Sequence, residues 1–212
     1  MNHYSNTRGE TPAERFDSYC DNGDEVLKAA EAGFFLCPLR TDLPSAAEII
    51  DLSIKRREHY IRQPCLVGMG LRWEQGTSFV DPLPDDCLRR MLAFRLTYGA
   101  DNTPDWFTHL VQLRPALVAE VLVDYAGATL KARQDYVSKT YQLASDPAYR
   151  SVAELAVPPL LTNFPVRAKS TQLSHLERLL KAAMCYSAEK LAGLIDQKLA
   201  AKGMDVAQRV YW

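Results

Sequence analysis

Chemistry requires nucleophiles, bases, metal ligands or anion receptors, so we begin with the residues of those types. The four histidines, His3, His59, His109 and His175, include no pair at i, i+4 spacing, and there is no His-Glu-x-x-His motif. His109, between Phe107 and Leu110, reads as a partly buried packing residue. The five cysteines, Cys20, Cys37, Cys65, Cys87 and Cys185, include no pair at metal-knuckle or redox spacing, and they read as reduced, mostly buried thiols. Gly68-Met69-Gly70-Leu71-Arg72-Trp73 departs from the dinucleotide fingerprint, because Trp73 stands where the third glycine is needed. The stretch from Gly70 to Gly76-Thr77-Ser78 lacks the lysine and the spacing of a phosphate loop. Asp85-Asp86 opens a helix, where the macrodipole favours carboxylates without any catalytic role. No Gly-x-Ser-x-Gly elbow occurs.

The strongest charge feature is Lys55-Arg56-Arg57 together with Arg62. On one helix these side chains spread over much of the circumference and Glu58 dilutes them, so they read first as a solvated face. Their second reading is an interaction surface that takes phosphate. They are the candidate site residues, and no catalytic, cofactor-binding or metal-binding residue is expected.

Composition sets the limits for any such site. The chain has 212 residues, with 25 basic and 26 acidic side chains and a net charge of −1. That balance leaves no global attraction for nucleic acid or an anionic membrane, although a local patch can still act. Apolar content of 47% against 24% charged suits a folded protein with a sizeable core. No window approaches the ~18 consecutive apolar residues of a membrane span. The polar start Met1-Asn2-His3-Tyr4-Ser5-Asn6 lacks the apolar core of a signal peptide, and the expected location is cytoplasmic.

The positioning elements read as helices. Thr11-Pro12-Ala13-Glu14 is a capping box that opens a helix to about Cys20, and Asp24 to Ala32 forms a second, stopped by Gly33. Phe34-Phe35-Leu36-Cys37 is a brief apolar run closed by Pro38. Ser45-Ala46-Ala47-Glu48 opens a helix with Ile49, Ile50, Ile54 and Ile61 on one face, ended by Gln63-Pro64. Residues 65–80, with Gly68, Gly70 and Gly76, form a small hairpin or an ordered loop. Beyond Asp81 the period is consistently helical, with stops expected at Gly99, Gly127 and Gly203, a break at Pro115 and a weaker helix from Leu130 to Ala144. The clearest stripe is Leu173, Leu176, Leu179, Leu180 and Met184. Ser187 caps a helix carrying Leu191, Leu194, Ile195 and Leu199, and Asp205 begins one more. That last helix has no stop signal before Trp212, which suggests a piece of a longer protein. Residues 1–80 and 81–212 are the expected parts, continuous with each other.

One proline-punctuated phrase occurs twice. Pro104 and Pro115 are 11 positions apart, as are Pro147 and Pro158, and the offset between the copies is 43 (147 − 104). Leu117/Leu160, Val123/Val166 and Leu130/Leu173 are identical under that offset. The agreement lies at helix starts and inward apolar sites, as stacked helix pairs require.

Thr103-Pro104-Asp105-Trp106-Phe107, Arg114-Pro115-Ala116-Leu117-Val118 and Pro158-Pro159-Leu160-Leu161 resemble HEAT- or armadillo-type repeats. The texture is also similar to the helical-repeat regions of large bacterial NACHT-type signalling ATPases, though this chain carries no nucleotide-binding motif. The resemblance implies an all-α, irregular helical-repeat array that binds a protein partner or the remainder of its parent chain. The expected function is therefore a non-catalytic interaction, sensor or scaffold module. A nucleic-acid-binding helical-repeat domain is an alternative and needs basic side chains on one face. An enzyme using the 65–80 segment is another.

Overall fold

A computed structural model describes residues 22–99 and 102–212. The Thr11–Glu14 capping box and the helix to Cys20 lie outside the described residues. Eleven α-helices occur among them: α1 (Gly23–Leu36), α2 (Ala46–Ile54), α3 (Arg62–Glu74), α4 (Asp85–Thr97), α5 (Asp105–Leu113), α6 (Pro115–Lys131), α7 (Thr140–Ser145), α8 (Arg150–Thr162), α9 (Ser170–Tyr186), α10 (Ala188–Leu199) and α11 (Val206–Arg209). Short 3₁₀ turns lie at Cys37–Leu39, Thr77–Phe79 and Pro147–Tyr149, and no strand occurs among the described residues. The fold is all-α, and helices pack in sequential pairs as an array. α1 lies on α3, α3 on α4, α4 on α6, α6 on α8 and α8 on α9. α2 covers α4 and α6, while α7 and α10 both lie against α8 and α9. One apolar core runs through the array from Leu43 to Ala183, crossing position 80 without a break, with Phe94, Trp106, Phe107 and Phe164 among its largest side chains.

The 65–80 segment is where the structure departs most from expectation. It forms neither a hairpin nor a long loop: residues through Glu74 belong to α3, followed by a 3₁₀ turn. The reason is close helix packing. A Cβ at Gly68 would lie 2.0 Å from the Phe34 carbonyl oxygen, so glycine lets α3 cross the backbone of α1. Cys65 and Met69 are fully buried beside that crossing. Burial outweighs the roughly 1 kcal/mol that each helical glycine costs.

The expected single helix from Ser45 to Arg62 stops early, and the next helix begins only at Arg62. The Ser45/Glu48 capping box forms: Ser45 Oγ accepts from the Glu48 amide at 3.3 Å, and the Ser45 amide donates to Glu48 Oε2 at 2.8 Å. However, α2 ends at Ile54, and Arg56 takes the left-handed conformation with φ 56°. Pro64 ends nothing; it sits in the first turn of α3, where a missing amide proton leaves no hydrogen bond unmade. Other expected stops are also overridden. α1 runs through Gly33 to Leu36, and α6 runs through Gly127 to Lys131, because Tyr125, Ala126, Thr129 and Leu130 continue its buried face. Leu130 thus closes α6 rather than opening the next helix, and only Thr140–Ser145 of the expected 130–144 helix forms.

The twofold phrase does not map onto equivalent elements. Pro115 opens α6 at N1, whereas Pro158 and Pro159 lie inside the continuous α8. Buried Val157, Leu160 and Leu161 hold α8 together, and Thr162 Oγ donates back to the Pro158 carbonyl at 2.8 Å. In α9, Leu173, Leu176 and Leu179 are buried as expected, but Met184 is 68% exposed.

Joints between helices share one device. Long polar side chains from one element bind carbonyls freed at the end of another. Arg72 Nε donates to Phe35 O at the end of α1 (2.9 Å), and Gln172 Nε2 donates to Leu130 O at the end of α6 (3.0 Å). Beyond the end of α8, Lys198 Nζ donates to Phe164 O (3.1 Å) and Gln208 Nε2 to Pro165 O (2.7 Å).

Candidate functional site

The break after α2 redistributes the basic run. Lys55 turns back along its own helix and pairs with Asp51 at 2.6 Å. Arg56, Arg57 and Arg62 instead line a cleft of ≈ 190 Å³ with Glu58, backed by Phe94 of α4. Arg62, at N1 of α3, is largely buried, pairs with Glu58 at 2.7 Å and lies 4.8 Å from the Tyr98 ring centre. Three of the four candidate residues therefore converge and Lys55 does not. They converge because of a turn between two helices, not because they share one helical face.

Arg56 also lines a second cleft of ≈ 500 Å³, between the C-terminal ends of α2 and α6. There it faces Arg133 and Lys169, together with Tyr136. Arg133 follows α6 as Arg56 follows α2, and it too has φ 56°. Gln134 Nε2 donates to Ile54 O at 3.3 Å and joins the two helix ends. The freed carbonyls carry partial negative charge, so a cation after each helix is electrostatically matched. Asp135 is the carboxylate of this cleft. It pairs with Lys169 at 3.2 Å and accepts from Thr171 Oγ at 2.7 Å, and these contacts hold its pKa below the ordinary carboxylate range. Arg133 continues into a third cleft of ≈ 580 Å³ with Arg167, whose Nε donates to Gly203 O at 3.0 Å. Arg133, Lys169 and Arg167 carry no signal in the sequence, because they are remote from Arg56 along the chain and only folding brings them near it.

A second constellation has the outline of a catalytic relay. Thr140 Oγ is 2.8 Å from His175 Nδ1, and His175 Nε2 is 3.1 Å from the Asp135 carbonyl oxygen. Because that carbonyl can only accept, Nε2 carries the proton and Nδ1 accepts from the Thr140 hydroxyl. Thr140 is 1% exposed and His175 3% exposed, so a substrate cannot reach the hydroxyl. Burial pushes the His175 pKa down, which matches a neutral structural histidine tying α7 to α9. His109 Nε2 is 2.7 Å from Asp81 Oδ1, and its ring lies against Trp73 with centroids 5.1 Å apart, a packing role. Burial raises the pKa of the Cys65 thiol to about 12 and moves Cys87 in the same direction, so both are held as inert thiols. Among the described residues no group of three His, Cys, Asp or Glu could hold a metal ion. The 65–80 segment, read as one seat for an enzyme, is helical through Glu74 and continues as a 3₁₀ turn at Thr77–Phe79.

The fold and these clefts define a class: an all-α helical array with paired packing and basic clefts between helix ends. Among the described residues no helix is long and apolar enough to cross a membrane. No known protein family, curated protein or solved structure matches the chain.

Proposed function

We propose that this chain is a non-catalytic interaction module, a HEAT- or armadillo-like segment that acts as scaffold or sensor within a larger cytoplasmic protein, in the manner of NACHT-type signalling ATPases. The observation that carries the reading is the placement of Arg56, Arg57, Arg133 and Lys169 at clefts between helix ends. Basic clefts on a rigid array suit recognition, since the array fixes the spacing of charges without requiring them to react. The paired packing of the helices supports the repeat-like part of the reading. Crosslinking in cells tests it: changing Arg56, Arg57 and Arg133 together to glutamate should remove the crosslinked partners while the helical circular dichroism is kept. An unchanged set of partners would count against a basic interaction surface.

A further inference from the structure

We propose that the three clefts joined by Arg56 and Arg133 form one track for single-stranded nucleic acid, with arginines taking phosphates and Tyr136 receiving a base. The inference rests on the interaction-module reading and names the ligand of its surface. Continuity comes first: Arg56 lines the first and middle clefts, and Arg133 lines the middle and third. Charge comes second. Among the described residues Arg56, Arg57 and Arg133 form no ion pair, whereas the carboxylates of the first two clefts are taken, Glu58 by Arg62 and Asp135 by Lys169. The positive charge facing those two clefts is therefore largely uncompensated, although the whole chain has a net charge of −1; the third cleft carries Asp205 beside Arg133 and Arg167.

The backbone supplies an independent observation. Both bridging arginines follow a helix C-cap in left-handed conformation, a position glycine occupies with least strain. An arginine stands at each and projects beside the same cleft.

The choice of ligand follows from shape and chemistry. The guanidinium fork matches phosphate oxygens. Tyr136 is 54% exposed on the middle cleft, and His59, stacked on the exposed Tyr60, lines the first, so the first two clefts each hold an aromatic ring beside their cations. Cationic grooves interleaved with aromatic faces are how single strands are held without sequence readout. Recognition of a duplex through its major groove calls for a protruding helix or ribbon, whereas these arginines sit in concave gaps between helix ends.

Fluorescence anisotropy on the full chain with labelled oligo-dT and oligo-U 20-mers, at salt from 50 to 200 mM, tests the proposal. We expect salt-sensitive binding, with the two oligomers separating DNA from RNA preference. The double variant Arg56→Gly/Arg133→Gly should bind at least about tenfold more weakly, and the slope of log K against log salt should fall by about 1.4, roughly 0.7 for each phosphate that an arginine no longer neutralises. Its urea midpoint should hold or rise, since glycine suits both backbone positions, so weaker binding could not be attributed to unfolding. Tyr136→Ala should weaken binding with the salt slope unchanged. Arg40→Gln, outside the clefts and paired with Asp42, should bind like the parent chain. The assignment is overturned by the absence of salt-sensitive binding to either strand, by binding retained in the double variant, or by equal loss in Arg40→Gln. Competition by a polyglutamate peptide as effective as by the oligomers would also overturn it, and would make the surface a receptor for acidic protein. A failure here leaves the interaction module standing if the crosslinked partners still depend on the arginines.

Discussion

Substituting Gly68 by alanine probes the closest approach of two helices in the array. The added Cβ would lie 2.0 Å from Phe34 O, 2.9 Å from Phe34 C and 2.9 Å from Pro38 Cδ. Two of those atoms are backbone, so relief requires α1 and α3 to separate. Separation would loosen the packing of Cys65 and Met69 and stretch the 2.9 Å bond from Arg72 to Phe35 O. Overpacking of a well-filled core costs about 1–3 kcal/mol, and backbone as the obstacle places this site at the upper end. Against it stands the roughly 0.5–1 kcal/mol that glycine-to-alanine contributes inside a helix. Gly70 is an internal control. It lies two positions along the same helix, and a Cβ there meets nothing within 4 Å. Gly70→Ala should therefore stabilise by ~0.5–1 kcal/mol, while Gly68→Ala should destabilise by ~1–2 kcal/mol net. Urea unfolding followed by circular dichroism reads both, and the gap between the two variants should be about 1.5–3 kcal/mol. Equal shifts of the same sign would refute the helix crossing at Gly68.

Three further outcomes follow from buried cations and the buried histidine. Arg72→Lys should destabilise by ~1–2 kcal/mol in thermal unfolding, because an ammonium cannot reproduce the fork that reaches both Phe35 O and Phe79 O. Burial depresses the Lys139 pKa from 10.5 to about 8, so between those values the unfolded chain binds a proton that the folded chain lacks. Stability should therefore rise with pH across that window, and Lys139→Met should flatten the rise in urea midpoints. His175 is depressed from its ordinary 6.5, so its contribution is fully present above that pH and is lost as pH falls toward the lower folded value. His175→Gln should reduce that acid-side loss, and an unchanged pH profile would refute a buried neutral imidazole.

Of the candidate site, Arg56, Arg57 and Arg62 were legible as a charge run, but their common cleft was not. A helical wheel disperses them; the left-handed turn at Arg56 gathers them. Gly33, Gly127 and Pro158 show the same limit in the fold. Each is a breaker by local preference, yet each lies inside a helix whose neighbours are held by tertiary contacts.

All-α class, the Ser45 capping box and the buried Leu173, Leu176 and Leu179 face of α9 were written in residue order, because each depends on hydrogen bonds and apolar spacing within a few turns. The 65–74 helix, the pairing of Arg56 with Arg133 across α2 and α6, and the His175–Thr140 contact were settled only by folding. Each depends on how closely distant backbones approach, and a one-dimensional pattern of residue types does not encode that distance.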